Sequence, residues 1–449
     1  MNSTTNEILP QGYKMTELGA LPEEWEVVQL ENKYIEFQNG LWKGKKEPYI
    51  KVKVLRNTNF NNDGTINFDD VAELDVEQRN FKNREIIKDD IILERSGGGP
   101  TQPVGRVVFF EKSDQFRYSF SNFTSRIRVT DKLRIFPKFL FYYLLDFYHQ
   151  GKTNDIQNRT TGIRNLDFSK YKQISLPLPP LPEQQKIAAV LSVVQEAKEK
   201  AEAVIDATKA LKKSMMKHLF TYGPVPPEET ENVPLKETEI GKVPEEWEVV
   251  KLGEVFEFSK KPKNLKINDN DLIPFIPMEM ISDTNQSIKY WEEKRYSEIP
   301  SGSFVFKNDI IIAKITPSFE NGKQAILDKL PLDYGYATTE IWALHPKNEN
   351  VITQYLYYYL KVDPIRVNLA RKMEGSTGRQ RLPKHVLENL SLPLPPLPVQ
   401  QKIASILSAI DAKIEAEENK KQALEELFKT LLHNLMTAKI RVNNLEIKV

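Results

Sequence analysis

The chain contains an internal repeat that constrains its fold more than any other feature. Residues 175–192 (SLPLPPLPEQQKIAAVLS) and residues 391–408 (SLPLPPLPVQQKIASILS) are identical at 15 of 18 positions. Near the other end of the unit, residues 16–28 (TELGALPEEWEVV) match residues 238–250 (TEIGKVPEEWEVV) at 10 of 13 positions. A structural unit of roughly 220 residues is therefore present twice in the chain.

The interiors of the two units have diverged, since residues 38–80 and residues 260–302 share little beyond their polarity. A duplicated frame with unlike interiors indicates one scaffold that presents two different recognition surfaces. The alternative is a tandem duplication that drifted without any division of labour. That alternative predicts divergence spread evenly along the unit, so the clustered divergence favours the first interpretation.

Each unit predicts a mixed α+β domain of roughly 170 residues. A helix rich in leucine and aromatic residues is expected at about residues 137–148. Trp25 and Trp247 are expected to anchor the two domain cores. Short strands separated by Asn, Asp and Gly turns are expected near residues 27–30, 49–55, 91–93, 104–110 and 126–130.

A long helix is predicted after each proline-rich run, because proline is excluded from a helix interior but suits its first turn. Nothing breaks a helix between Glu183 and Gly223, and the second copy runs from Val399 to about Thr437. Each helix has about 38 residues, or roughly 57 Å at about 1.5 Å per residue. That length far exceeds the mean of about 11–12 residues in globular proteins.

Apolar residues recur along both helices at steps of four and three, the pattern of helices that pair along a common seam. We expect the two helices to pack antiparallel, with Glu417 and Lys421 interrupting the second seam and thereby selecting a specific partner helix. Two ordinary core helices are the alternative, which their length makes weaker. The residues predicted to pack between the helices are Ile187, Leu191, Val194, Ala201, Val204, Leu211, Met215, Ile403, Leu407, Ile410, Ile414, Leu424, Phe428, Leu431 and Leu435.

The predicted fold class is α+β, with two pseudo-two-fold-related mixed α/β domains separated by a pair of long antiparallel, coiled-coil-like helices. The predicted segments are a first domain at residues 1–182, a central spacer helix at 183–222, a second domain at 223–398 and a C-terminal spacer helix at 399–440.

The composition limits the chemistry that the chain is expected to carry. It has no cysteine, and its five histidines are scattered, so we expect no metal site. There is no Gly-x-x-x-x-Gly-Lys-Ser/Thr loop, no dinucleotide-type glycine-rich turn and no Asn/Asp-Pro-Pro-Tyr methyltransferase signature. We therefore expect no catalysis by the isolated chain. Without a secretory signal or a long apolar span, a cytoplasmic location is expected.

The net charge of +1 lacks the global excess of a typical DNA-binding protein, but two segments are locally basic. Residues 95–172 contain 14 Lys and Arg against 6 Asp and Glu, and residues 361–384 contain 7 against 2. A solvated basic face explains such a patch as readily as a binding site does.

Along its full length, the chain resembles the specificity subunits of type I restriction–modification systems. The resemblance rests on the order of domain, PLPPLPEQQ helix, domain and PLPPLPVQQ helix, with Pro-Glu-Glu-Trp-Glu opening each half and one departure, Val399 in place of the usual Glu. It implies a non-catalytic subunit in which each target-recognition domain reads one half of a bipartite site in double-stranded DNA. The paired helices would set the gap and dock two methyltransferase subunits that methylate adenine. Restriction subunits would add cleavage, with S-adenosylmethionine, ATP and Mg bound by the partners and no cofactor by this chain.

Loops rich in Lys, Arg, amides and hydroxyls are the candidates for DNA contact, because such groups reach phosphates and base edges. The clusters at residues 159–164 and 371–381 carry most weight because they occupy equivalent places in the two units, although any single residue is as readily solvated surface. In the first unit the candidates are Lys43, Lys45, Lys46, Arg95, Gln102, Arg106, Asn122, Thr124, Arg126, Arg159, Thr160, Thr161 and Arg164. In the second unit they are Lys260, Lys261, Lys263, Lys314, Thr316, Ser318, Lys323, Thr338, Thr339, Arg371, Lys372, Ser376, Thr377, Arg379 and Arg381.

Two other functions stay open at this point. One is an enzyme with its own methyltransferase or nuclease chemistry, which methyl transfer by the purified chain alone would establish. The other is a scaffold whose two globular ends bind proteins. A salt-dependent, sequence-selective affinity for DNA counts against the scaffold.

Overall fold

The computed structural model describes residues 9–42, 44, 46–99, 102–159, 163–376, 378–443 and 445. The chain divides into two compact units, one formed by Met1–Lys200 with Lys421–Val449 and the other by Ala201–Lys420. Each of two long helices, α4 (Leu181–Tyr222) and α9 (Leu397–Met436), therefore contributes one half to each unit. None of the helices in the described ranges is both long and apolar enough to cross a membrane.

The first unit combines short strands with three further helices, α1 (Gln78–Lys82), α2 (Pro137–His149) and α3 (Phe168–Lys172). Its strands are β1 (Tyr13–Thr16), β2 (Gly19–Pro22), β3 (Glu26–Gln29), β4 (Ile35–Asn39), β5 (Tyr49–Leu55), β6 (Ala72–Glu77), β7 (Ile91–Glu94), β8 (Ser96–Gly98), β9 (Val107–Phe109), β10 (Tyr118–Phe120), β11 (Thr124–Val129), β12 (Gln157–Arg159), β13 (Arg164–Leu166) and β14 (Ser175–Leu178).

Two sheets form the body of the first unit. An antiparallel sheet has the order β4-β11-β7-β9, and β7 is buried along its whole length because it lies inside this sheet. A second sheet has the order β10-β5-β6, in which β5 and β10 run parallel. The small sheet β12-β13-β8 lies beside them. The apolar residues of α2, among them Phe139 and Leu144, belong to the same core cluster as Ile91 and Ile127 of the first sheet.

The second unit repeats this plan with helices α5 (Leu252–Val255), α6 (Thr353–Tyr359), α7 (Asp363–Arg371) and α8 (Lys384–Glu388). Its strands are β15 (Leu235–Thr238), β16 (Gly241–Pro244), β17 (Glu248–Lys251), β18 (Phe256–Phe258), β19 (Leu272–Ile276), β20 (Glu292–Arg295), β21 (Ser303–Phe306), β22 (Ile310–Ala313), β23 (Gln324–Ile326), β24 (Tyr334–Ala337), β25 (Ile341–Pro346) and β26 (Ser391–Leu394).

The sheets of the second unit correspond to those of the first. The antiparallel sheet β18-β25-β22-β23 matches β4-β11-β7-β9 strand for strand. The sheet β20-β19-β24-β21 contains one parallel pair, β19 with β24, as the first unit does with β5 and β10. The mixed α+β fold class is therefore confirmed, and both copies of the repeat adopt it.

The repeated sequences at the two ends of each unit pair with each other. β3 pairs antiparallel with β14, so that Val28 lies opposite Leu176, and β17 pairs in the same way with β26. Trp25 and Trp247, which precede β3 and β17, are buried in their cores, as predicted. The repeated motifs therefore build the frame of each domain rather than its exposed loops.

A glutamine after each proline-rich run holds the start of the long helix against its domain. Gln184 Nε2 donates to the carbonyl of Pro179 at 2.8 Å, and its side-chain oxygen accepts from the Phe136 amide at 2.8 Å. Gln400 makes the equivalent pair of bonds in the second unit. Both glutamines are fully buried, so this part of the repeated motif is explained by satisfied hydrogen bonding in the interior.

Glu183, which Val399 replaces in the second copy, does more than place a charge in the first helical turn. Its carboxylate accepts from Trp25 Nε1 at 3.0 Å and from Arg441 Nε at 2.6 Å. Val399 instead packs against the apolar core of the second unit. The one departure from the motif therefore exchanges a buried polar contact for an apolar one.

The two long helices pack antiparallel within each unit. In the first unit, Ile187 and Leu191 near the start of α4 share a core with Phe428 and Leu435 near the end of α9. In the second unit, Lys209 of α4 pairs with Glu418 at 2.8 Å, and Lys212 pairs with Asp411 at 2.5 Å. As the residue numbers rise along α4, those of the paired residues on α9 fall, as they do in antiparallel helices.

The seam of α4 departs from the predicted heptad in the second unit. Val204 and Leu211 were expected in the seam but are exposed, whereas Ile205, Met216 and Leu219 are buried. From Val194 onward the buried positions follow at 198, 201 and 205, which is eleven residues in three turns. That spacing is close to the period of an undistorted helix, about 3.6 residues per turn, from which a strict heptad drifts by about 20° per repeat.

The other predicted seam residues lie along the buried or half-buried side of the two helices. Buried are Ile187, Leu191, Val194, Ala201, Ile403, Leu407, Ile414, Phe428 and Leu435, and half-buried are Met215, Ile410, Leu424 and Leu431. Glu417 pairs with Lys413 and Lys420 of its own helix.

Candidate nucleic-acid interface

Backbone hydrogen bonds tie several candidate loops together at one edge of the first domain. The Arg95 amide donates to the carbonyl of Phe123 at 2.8 Å, and the Leu166 amide donates to the carbonyl of Arg95 at 2.8 Å. Gly98 pairs with Arg164 between β8 and β13. The structure therefore brings the segments around residues 95–99, 121–124 and 164–166 to the same place, and Leu41 joins them by bridging to Ser121.

The second domain uses the same bonds. The Lys314 amide donates to the carbonyl of Glu340 at 3.0 Å, and the Leu382 amide donates to the carbonyl of Lys314 at 2.7 Å. Ile315 bridges to Arg381, as Ser96 pairs with Asn165 in the first unit. Two corresponding edges therefore exist, each built from three chain segments that are distant in sequence.

The shared bonds define which positions correspond between the two edges. Phe123 of the first domain corresponds to Glu340 of the second, because each accepts from the equivalent amide. Arg381 corresponds to Asn165, the residue after Arg164. Arg164 and Arg381 are therefore offset by one position in the shared frame. The same frame thus carries a phenyl ring and an amide in one domain and an acid and a guanidinium in the other.

Four of the first-unit candidates make hydrogen bonds within the fold, and all but the half-buried Gln102 are buried. Arg106 is buried, pairs with Glu94 at 2.7 Å and donates to the carbonyl of Phe60 at 2.7 Å. Gln102, with its amide turned so that the oxygen faces Arg106, accepts from Arg106 Nη1 at 2.9 Å. These bonds hold the Arg106 guanidinium and the Gln102 amide oxygen within the domain.

Thr124 and Arg126 are also buried. The Thr124 hydroxyl donates to the carbonyl of Ser121 at 2.8 Å, and Arg126 pairs with Glu36 at 2.8 Å. We therefore leave Gln102, Arg106, Thr124 and Arg126 out of the proposed contacts, although their residue types alone gave no reason to.

The remaining first-unit candidates lie at the surface or outside the described residues. Lys46 is exposed, and Asn122 and Arg164 are half-buried. Arg95 lies 4.2 Å above the Phe168 ring and donates to Asn39 Oδ1 at 2.6 Å, and burial lowers the pKa of its guanidinium. Outside the described residues are Lys43, Lys45, Thr160 and Thr161, and only the backbone of Arg159 is described, paired with Arg164.

In the second unit, the cluster around Arg381 is largely exposed. Arg381 pairs with Glu340 at 2.8 Å, which raises the pKa of the guanidinium and lowers the pKa of the carboxyl. Lys314 lies 4.2 Å above the Trp342 ring, and burial lowers the pKa of its ammonium group. The exposed candidates are Arg371, Lys372, Ser376, Arg379 and Thr339, with Thr338 and Ser318 half-buried and Thr377 outside the described residues.

Three of the other second-unit candidates contact neighbouring parts of their own domain. The Thr316 hydroxyl donates to Glu320 at 3.1 Å, and Lys323 donates to the carbonyl of Met278 at 3.0 Å. Lys260, Lys261 and Lys263 are exposed, and Lys261 donates to the Tyr296 hydroxyl at 3.0 Å. That contact directs Lys261 toward the sheet that contains β20 and β21.

Several residues at the first edge were not identified from the sequence. Trp42 is 70 % exposed, Phe123 is 45 % exposed, and both line a cavity with Arg56 and Asn57. The only sequence signal for Trp42 was its place beside a lysine cluster. In the ranges the structure describes, no group of three or more His, Cys, Asp or Glu side chains is placed to hold a metal ion.

Comparison with known proteins places this architecture in a family. Residues 22–206 and 244–426 match the Type I restriction modification DNA specificity domain. The type I restriction enzyme MjaVIII specificity subunit of Methanocaldococcus jannaschii is 29 % identical over 460 residues, covering 95 % of each chain. The EcoAI specificity subunit of Escherichia coli is 33 % identical over 199 residues, which is 43 % of this chain and 33 % of that protein.

A solved structure shares the fold. The crystal structure of the type I restriction–modification S subunit from M. genitalium superposes with a TM-score of 0.55 at 17 % identity, covering 92 % of this chain and 96 % of that one. The two domain matches fall on the two copies of the repeat and together cover most of the sequence. The chain therefore belongs to the family of type I restriction–modification specificity subunits and carries the DNA specificity domain of that family twice.

Proposed function

We propose that this chain reads DNA for a type I restriction–modification complex, with each domain recognising one half of a bipartite site in double-stranded DNA. The supporting observation is the pair of corresponding edges, where one frame presents Phe123 and Asn165 in the first domain and Glu340 and Arg381 in the second. Bases are discriminated in the major groove by donors, acceptors and methyl groups. Two unlike sets of side chains on one frame therefore suit two unlike half-sites.

On this proposal, the target-recognition domains at residues 1–182 and 223–398 do the reading, and the helices at 183–222 and 399–440 act as spacers. Helix α4 has 42 residues and is roughly 63 Å long. DNA-binding modules that are related by a two-fold axis commonly read half-sites about one helical turn apart, which is about 34–36 Å. The spacers set the gap that is not read and dock two methyltransferase subunits.

Catalysis belongs to the partner subunits on this proposal. The methyltransferase subunits hold S-adenosylmethionine and methylate adenine, and restriction subunits supply ATP- and Mg-dependent cleavage in the cytoplasm. This chain contributes the selection of the site and no reaction step.

The test is a gel-shift assay of the chain in complex with its methyltransferase partner, on a duplex whose site has been found by mapping methylated adenines genome-wide. Arg164→Ala and Arg381→Ala are each expected to weaken binding by about tenfold, the effect of losing one contact of about 1–3 kcal/mol. Lys132→Ala is the control, since Lys132 pairs with Asp89 near the end of β11 remote from Phe123.

Charge reversal at both positions, Arg164→Glu with Arg381→Glu, makes the assay decisive. Unchanged affinity in that double variant would remove the proposed contact from this edge. If the complex shows no salt-dependent, sequence-selective affinity at all, the DNA-reading function itself is wrong.

A further inference from the structure

The edge of the first domain contains an apolar cavity that the fold does not fill. Its volume is about 270 Å³, and its floor is the face of the β5–β6 pair that carries Val54, Leu74 and Val76. Trp42 and Phe123 stand at its rim. Large exposed apolar groups gathered around one cavity mark a binding surface more often than they stabilise a fold.

The polar groups at this cavity are incompletely paired. Among the described residues, Arg56 Nε and Ser121 Oγ are buried atoms without a hydrogen-bond partner, and both residues line the cavity. Buried polar atoms in native proteins are nearly always paired with protein, water or a ligand, so each of these two atoms can take a further hydrogen-bond partner. Asn122 adds an amide to the rim, which is the group that pairs with adenine N6 and N7.

Two acidic residues of β6, Glu73 and Asp75, lie on the other face of the sheet. Successive side chains of a strand alternate between faces, so Glu73 and Asp75 point away from the side that carries Leu74. They lie opposite Lys53 and Lys51 of β5, which offset their charge.

Two other carboxylates bond to residues that line the cavity, and both are paired with arginines. Asp70 pairs with Arg56 at 3.4 Å. Glu94, which accepts from Asn57, pairs with Arg106 at 2.7 Å. The charge of both carboxylates toward DNA phosphates is therefore offset.

We infer that this cavity, with Leu74 in its floor and Trp42 and Phe123 at its rim, recognises the 5-methyl edge of a thymine in the half-site of the first domain. The inference rests on the proposed function and deepens it by naming one base. In the major groove, thymine is the base that presents a methyl group, which is read by apolar contact. The adenine that pairs with this thymine presents N6 and N7, which an amide such as that of Asn122 can bind.

The second domain supplies the contrast that makes the inference specific. At the position of Phe123 it has Glu340, whose carboxylate pairs with Arg381. A carboxylate accepts from cytosine N4 and gains nothing from a methyl group. Recognition of thymine by apolar contact at this position is thus expected in the first half-site and not in the second.

The test replaces each thymine of the first half-site by deoxyuridine, which lacks only the methyl group. The probe is the mapped duplex, bound by the full chain with its methyltransferase partner, and the first half-site is the one that changes when residues 16–175 are exchanged. At least one replacement is expected to weaken binding by about fourfold, the effect of one buried methyl group. Trp42→Ala is expected to remove that difference between thymine and deoxyuridine.

The matched control is Leu133→Ala, because Leu133 is 84 % exposed and follows the other end of β11. It is expected to leave the difference intact. Phe123→Ala provides a second rim variant, and thermal denaturation checks that Trp42→Ala and Phe123→Ala remain folded.

Two results overturn the inference while leaving the proposed function standing. One is sequence-selective binding that no deoxyuridine replacement weakens. The other is a difference between thymine and deoxyuridine that persists in full in both rim variants. Loss of all site selection by the unmodified complex would instead contradict the proposed function, and the inference with it.

Discussion

At the scale of the residue, a cation's environment decides whether it serves the fold or a ligand. Arg106 and Arg381 are the same residue type in loops that looked equally suited to DNA. The first is buried against Glu94, while the second is exposed beside Glu340. A buried pair is costly to break because removal of one partner leaves the other charge without compensation.

Arg106→Ala is therefore expected to lower the free energy of unfolding by about 3–5 kcal/mol, since Glu94 stays buried without its partner. Lys132→Ala, which removes an exposed pair with Asp89, is expected to cost at most about 1 kcal/mol. Chemical denaturation followed by circular dichroism measures both. Equal losses in the two variants would show that the buried pair has no special role.

The pair of half-buried His345 with buried Asp309 in the second unit predicts a dependence of stability on pH. His345 Nδ1 lies 2.7 Å from Asp309 Oδ1, and this hydrogen bond raises the pKa of the imidazole above its ordinary value of 6.5. Burial raises the pKa of Asp309 as well. In both groups the raised pKa means that the folded state holds the proton more tightly than the unfolded state does.

The histidine's contribution is therefore fully present below pH 6.5 and is lost as the pH rises through the raised pKa. The melting temperature of the second unit is expected to fall as the pH rises from about 6.5 through the raised pKa of His345. His345→Gln is expected to flatten that dependence. If the variant keeps the full pH dependence of the melting temperature, other titrating groups cause that dependence.

At the scale of the element, local pattern predicted the two long helices and several elements of the first unit. The strand expected at residues 49–55 is β5, Tyr49–Leu55, and the helix expected at 137–148 is α2, Pro137–His149. Both follow from side-chain periodicity, which is a property of neighbouring residues.

What the sequence did not predict depends on contacts between distant residues. The cavity forms only because Leu41 bridges to Ser121, which brings Trp42 and Phe123 to one rim. The burial of Arg106 likewise depends on Glu94 of a neighbouring strand. Residue type alone does not reveal such pairings, so basic loops gave several candidates that the fold uses internally.

The seam of α4 gives a prediction with a built-in control. Leu219 is buried in the core of the second unit, whereas Leu211, which the heptad pattern placed in the seam, is exposed. Leu219→Ala is expected to lower the free energy of unfolding by about 2–5 kcal/mol. Leu211→Ala, the same substitution two turns earlier, is expected to change it by at most about 0.5 kcal/mol. A larger loss of unfolding free energy in Leu211→Ala would show that Leu211 packs in the seam, as the heptad pattern predicts.

At the scale of the whole molecule, the repeat separates what is kept from what varies. The kept sequences form the β3–β14 and β17–β26 pairs and the starts of the long helices, so they fix the frame. The diverged interiors supply the loops at the two edges. On the proposed function, selection for two different half-sites acts on such loops without disturbing the frame that holds them.

Exchange of residues 16–175 for the corresponding part of another specificity subunit tests this division. Because those residues begin and end at the repeated motifs, the exchange preserves the β3–β14 pairing and leaves the second domain untouched. Genome-wide mapping of methylated adenines is expected to show one half-site changed, with the other half-site and the gap retained. The matched exchange of residues 238–391 is expected to change the opposite half-site. If either exchange alters both halves, the two domains do not read independently, and the recognition surface must extend across parts of the chain that the repeat keeps alike.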